Sequence, residues 1–114
     1  MTPPARDESM YLHDIVEAVD RILEYTASGR DAFLDERKTQ DAVVRNLEII
    51  GEAASKVPAA IRNSRPEVPW REIVAVRNRI AHEYFDIDIE VVWDIVSRDL
   101  AALRVQIAAI LGEA

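Results

Sequence analysis

Cysteine is absent from the 114 residues, so the chain has no disulfide framework, no thiolate to ligate zinc and no cysteine nucleophile. Glycine is scarce: Gly29, Gly51 and Gly112 are too few and too scattered to form a phosphate-cradling loop. Long apolar runs are missing as well. The best stretch, residues 101–111, is cut by Arg104 and Gln106 and falls short of the ~18 residues that a membrane-spanning helix takes. The N-terminus, with Pro3, Pro4, Arg6, Asp7 and Glu8, has no apolar segment of the kind a secretory signal needs. A cytoplasmic protein with no membrane partner is the expectation. At 49% hydrophobic and 31% charged residues the chain is too apolar to be disordered. Its length suits one domain over residues 1–114, with 1–8 as a loose N-terminal tail.

An excess of positive charge is also lacking. The net charge of −7 argues against broad, sequence-blind binding of nucleic acid. The charge is unevenly spread, however. Residues 56–79 carry Lys56, Arg62, Arg65, Arg71, Arg77 and Arg79 against only Glu67 and Glu72, while both flanks are strongly acidic. A solvated face balancing acidic neighbours would explain such a cluster; so would a track for an anionic partner.

What the chain does have is helical periodicity. Tyr11, Ile15, Val19, Ile22 and Leu23 recur at helical spacing from Asp7 to Ser28, and Gly29 stands where a C-terminal cap belongs. Ala42, Val43, Leu47, Ile50, Ala53, Ala54 and Val57 predict a second helix from about Arg37 to Val57, stopped by Pro58. Residues 58–69, with three prolines, read as a connection holding one helical turn. Pro69 suits the first position of a third helix, Trp70 to about Tyr84. Asp86 or Asp88 can cap a fourth helix running to Leu111, with Ile89, Val92, Trp93, Val96, Leu100, Leu103, Ile107 and Ile110 as its stripe. The expected fold is an all-α antiparallel bundle of four main helices plus a short connecting helix. Broad apolar faces on the long helices suggest a symmetric homodimer. Gly51, inside the second helix, costs about 1 kcal/mol relative to alanine, which a close helix approach alongside Ala54, either within the fold or across a dimer, would offset.

Candidate chemistry gathers at the end of the third helix, in Arg77-Asn78-Arg79-Ile80-Ala81-His82-Glu83-Tyr84. Arg77 and Tyr84, seven apart, share a helix face; Asn78 and His82, four apart, share the adjacent one. Other site types find little support. His82-Glu83 does not continue into a zinc-binding H-E-x-x-H pattern, and the serines lie outside any nucleophile-elbow context. His13, among Asp14 and Glu17, reads as a surface residue, and Glu48/Glu52 as an exposed acidic stripe.

Arg77 to Tyr84 resembles the R-x-x-x-x-H-x-Y signature of the HEPN superfamily, specifically its HepT-like ribonuclease toxins. Residues 40–54, QDAVVRNLEIIGEAA, resemble that family's second-helix segment, and Pro69-Trp70 the entry to its motif helix. The resemblance covers nearly the whole chain, from Met10 to Leu111. It implies a HEPN-like homodimer acting as a metal-independent RNA endonuclease, needing no cofactor for cleavage. It also implies a cognate nucleotidyltransferase antitoxin, using ATP and Mg, that transfers AMP to the motif tyrosine, here Tyr84. A non-catalytic HEPN-like module that partners a nucleotidyltransferase is the alternative.

The residue types suit that chemistry. Metal-free RNA cleavage uses the ribose 2′-OH as nucleophile and leaves a 2′,3′-cyclic phosphate. Histidine can accept or donate a proton near neutrality, and arginine can bind non-bridging phosphate oxygens through parallel hydrogen bonds. Arg77 and His82 are therefore the expected catalytic pair, with Asn78 positioning His82 or the phosphate. AMP on Tyr84 would compete with RNA for Arg77 and switch cleavage off. Arg62, Arg65, Arg71 and Arg79 are candidates for the RNA backbone track.

Overall fold

The structure, a computed structural model, describes residues 8–83 and 86–112, which form seven helices. Helix α1 (Glu8–Tyr25) buries Leu12, Ile15, Ala18, Val19 and Ile22 at helical spacing. Leu12 takes the place expected for Tyr11, which is half-buried, and Leu23 points to solvent. The Thr26 hydroxyl donates to the Ile22 carbonyl (2.7 Å), and Gly29 turns the chain with φ +95°, a conformation side-chain-bearing residues rarely adopt.

A short helix that periodicity did not predict follows, α2 (Arg30–Asp35). Six residues are too few to display a stripe, and its hold on the fold is the single buried side chain Phe33, which meets Trp93 with ring centroids 5.4 Å apart. Gln40 Nε2 donates to the carbonyls of Phe33 (3.0 Å) and Leu34 (3.1 Å), satisfying acceptors that a helix end leaves open.

Helix α3 (Arg37–Lys56) is the centre of the fold. It packs on α1 along one side and on α5 (Trp70–His82) along another, while α7 (Leu100–Gly112) covers α1. Its buried Val43, Leu47, Ile50, Ala53 and Ala54 were legible in the stripe; Val44 and Asn46 widen the buried face. The connection contains α4 (Ala59–Ser64), and Trp70 Nε1 donates to the Arg65 carbonyl (3.1 Å), tying the loop to the start of α5. Pro69 caps α5 from just outside it.

The predicted fourth helix is two: α6 (Ile89–Arg98) and α7. Asp88 caps α6, its Oδ1 accepting from Glu90 N (2.9 Å). Hydrogen bonds from Asp99 N to the Ile95 carbonyl (2.9 Å) and from Leu103 N to the Asp99 carbonyl (3.1 Å) run through the joint. The apolar stripe therefore continues across the break, through Val92, Val96, Leu100, Leu103, Ile107 and Ile110. Arg104 clamps α7 to α1 through Asp20, with Nε to Oδ1 at 2.5 Å and Nη2 to Oδ2 at 3.2 Å. Among the described residues, no helix is long and apolar enough to cross a membrane. Of the expected N-terminal tail, residues 1–7 lie outside the described residues and Glu8 already begins α1.

Candidate active site

Gly51 is where α3 and α5 come closest. A Cβ built there would lie 2.1 Å from Arg77 Cβ, 2.9 Å from its Cγ and 3.2 Å from the Ile73 carbonyl oxygen. The expected close approach is thus made within the fold, and its partner is the stem of Arg77. A glycine tolerated at some cost to helix propensity lets α5 settle against the backbone of α3, which fixes the first two carbons of that side chain.

The far end of Arg77 is held as well. Its Nη2 lies 3.1 Å from Glu52 Oε2, and its Nη1 donates to Asn78 Oδ1 (3.0 Å). Lys56 Nζ, one turn further along α3, lies 3.3 Å from the other Glu52 oxygen. These groups stand beside a polar cleft of about 390 Å³ whose floor is α3, with Tyr11 and Asp14 of α1 on one wall and Arg77 on the other. Arg45 and Glu48 also line it. The Arg77–Glu52 pair is about half exposed, so its contribution to stability is small, about 0–1 kcal/mol. Its consequence is geometric.

The other candidates are distributed around α5. Asn78 is exposed and engages Arg77, not His82. His82 is the last residue of α5 and is exposed to solvent. Five residues of helix separate it from Arg77, which turns it about 140° around the axis and about 7.5 Å along it. Tyr84, the candidate AMP acceptor, lies outside the described residues. Among those described, no three histidine, aspartate or glutamate side chains cluster to hold a metal ion.

The four track arginines do not converge on this cleft. Arg71 and Arg79 are exposed and Arg62 and Arg65 half-buried. Arg79 pairs with Glu83 (3.1 Å) and borders the apolar crevice between α5 and α6. A second cleft of similar size, about 370 Å³ and more apolar, opens on the other side of the α3–α5 contact, where Ile50, Ile73, Val76, Leu100 and Leu103 line it. It holds none of the candidate site residues.

Sequence reasoning missed that Arg45, Lys56 and Tyr11 line the same cleft as Arg77, and read Glu52 as part of an exposed acidic stripe. The one signal available was Gly51 itself, an unfavourable mid-helix residue directly before Glu52.

The described residues thus form a small all-α domain that presents an arginine–asparagine–histidine helix beside a charged cleft, an arrangement consistent with a HEPN-like helical fold. A family profile described as Ribonuclease HepT-like matches residues 15–110. The chain is 42% identical over 100 residues to "Probable ribonuclease HepT" of Thermococcus cleftensis, covering 87% of this chain and 91% of that one. It is also 42% identical over 94 residues to a Methanocaldococcus jannaschii protein provisionally named RNase MJ0127, covering 82% of this chain and 78% of the relative. The chain belongs to the HepT-like ribonuclease family, and with that membership it is an enzyme of the ribonuclease class. No solved structure matches it significantly.

Proposed function

We propose that this chain is the toxin of a toxin–antitoxin pair and cuts RNA internally by attack of the ribose 2′-OH, with Arg77 and His82 as the reacting groups and no metal required. The observation that carries this reading is the fixation of Arg77 at the polar cleft, its stem packed on Gly51 and its guanidinium held by Glu52 and Asn78. A cation held in place before substrate arrives is what stabilises charge that develops on a phosphorane.

In the reaction, the 2′-oxygen attacks phosphorus and the bond from phosphorus to the 5′-oxygen breaks. One imidazole accepts the 2′-OH proton while a second donates a proton to the departing 5′-oxygen. Arg77 neutralises the non-bridging oxygens. One chain carries two histidines, and His13 sits on α1, where it is exposed. The helical angle between Arg77 and His82 also turns them to different faces of one α5. A homodimer answers both difficulties, because a second copy brings a second His82 and a second Arg77 to a shared cleft. Arg45 and Lys56 flank Arg77 in the cleft and, with Arg62, Arg65, Arg71 and Arg79 beyond it, are the cations for the RNA backbone. Regulation on this reading is AMP transfer from ATP to Tyr84 by a cognate nucleotidyltransferase, placing a phosphodiester two residues from His82.

The test is cleavage of RNA by purified, unmodified protein in EDTA beside His82→Ala, with the product ends identified. Cleavage by wild type alone, leaving 2′,3′-cyclic phosphate, is the expected result. No cleavage by either, with Tyr84 shown bare by mass, would replace the enzyme with a nucleotidyltransferase-binding module. Co-expression with the transferase should add the mass of AMP at Tyr84; an unmodified tyrosine would remove the regulatory part.

A further inference from the structure

We propose that Gly51 and Glu52 form a positioning platform for Arg77, and that Glu52 sets the orientation in which its guanidinium meets the scissile phosphate. The proposal rests on the catalytic reading of Arg77 given above and adds two residues of a different helix to the cleavage machinery.

The argument begins at the backbone. Without a side chain at position 51, α3 approaches until Arg77 Cβ occupies the space a Cβ would need, at 2.1 Å. The stem of Arg77 therefore lies against a rigid helix, and the remaining freedom is in the outer torsions. Glu52 follows directly, about 100° further around α3, and so emerges at the edge of the same contact. From there its carboxylate reaches Nη2 at 3.1 Å, while Asn78 takes a hydrogen from Nη1 at 3.0 Å. A guanidinium has five N–H groups, so two protein acceptors fix its plane and leave others to face a phosphate.

Glu52 does not cancel the charge it orients. Lys56 Nζ lies 3.3 Å from its Oε1, so the trio of Lys56, Glu52 and Arg77 keeps a net charge of one positive unit beside the cleft. The second cation also anchors the carboxylate from the next turn of its own helix. An arginine held this way meets the phosphate without first being ordered, and displacement of a reacting group by about 1 Å can slow a reaction about a hundredfold.

The experiment is a double-mutant cycle on cleavage of a mixed-sequence single-stranded RNA oligonucleotide by the full chain. Glu52→Gln should lower kcat about 10- to 100-fold with KM changed less than about threefold, and should produce no further loss in an Arg77→Ala background. The same fold-loss in both backgrounds, or an unchanged kcat in Glu52→Gln alone, would overturn the proposal. A second readout needs no cleavage: the Nη signals of Arg77 in 15N NMR should be separately resolved in wild type and merge in Glu52→Gln. Identical spectra would overturn the platform even if the RNA assay showed nothing. An Arg77→Ala variant that cleaves at the wild-type rate would instead remove the catalytic reading of Arg77, and the spectra would still decide whether Glu52 orients it.

Discussion

Gly51→Ala is the substitution on which the geometry speaks most directly, because two physical terms of opposite sign meet there. On helix propensity alone, alanine should stabilise α3 by about 1 kcal/mol. Against this, the added carbon would sit 2.1 Å from Arg77 Cβ, whereas ordinary contact begins near 3.4 Å. The obstructing atom is a Cβ, which no change of rotamer can move. The helices themselves must separate by a little over 1 Å, loosening the neighbouring contacts of Ile50 and Leu47 with α5. Overpacking of this kind costs about 1–3 kcal/mol, and a clash between two backbone-fixed carbons belongs at the upper end. The net expectation is a loss of about 1–2 kcal/mol, a fall in Tm on the order of 5–10 °C for a domain of this size. Urea and thermal unfolding by circular dichroism, at matched protein concentration, would measure it. Gly112→Ala is the control: nothing lies within 4 Å of a Cβ there, so the same chemical change should be neutral or slightly stabilising. A Gly51→Ala protein as stable as wild type, or more so, would refute the close approach of α3 and α5 and with it the fixed stem of Arg77.

The remaining predictions address other parts of the molecule. Phe33→Ala empties a site that is 1% exposed and removes the ring contact with Trp93; a loss of about 3–5 kcal/mol is expected, read from the urea midpoint. Asp88→Ala deletes the side-chain cap of α6 and should lower stability by about 1 kcal/mol, with the loss visible in hydrogen exchange at Glu90 N. Arg104, first through its hydrogen bonds and also through its charge, holds the Asp20 carboxyl below the ordinary carboxylate range, against the opposing effect of burial. A lowered folded-state pKa means the contribution is complete above the unfolded value and is lost as pH falls through the folded one. The difference in urea midpoint between wild type and Asp20→Asn should therefore shrink below about pH 4, and a difference independent of pH would contradict the assignment. His82→Ala removes an exposed side chain at a helix end and should abolish RNA cleavage with Tm within about 2 °C of wild type; a comparable fall in both would make its role structural.

How much of this could be read from the chain follows from the range of the forces involved. Helical periodicity is a local property, so α1, α3, α5 and the stripe running from Val92 to Ile110 are legible in the order of residues. The same is true of the cap at Asp88 and of the turn at Gly29. The motif of Arg77, Asn78 and His82 is likewise legible, because its members are neighbours on one helix. Helix α2 is not, because six residues cannot show a period and its anchoring depends on Phe33 finding Trp93 across the fold. The break at Asp99 is equally hidden, since the apolar stripe passes through it unchanged.

By itself, then, the sequence determined the all-α class, the main helices and the residues proposed to carry chemistry. Only the tertiary structure decided how those residues are held. Asn78 turned to Arg77 instead of His82, and Glu52 became the partner of Arg77 instead of an idle acidic residue. The physical reason is that helix periodicity says which face is buried but not which residue of a neighbouring helix lies opposite. That register was set by the closest approach the packing could reach, and it was reached where Gly51 left room for the stem of Arg77.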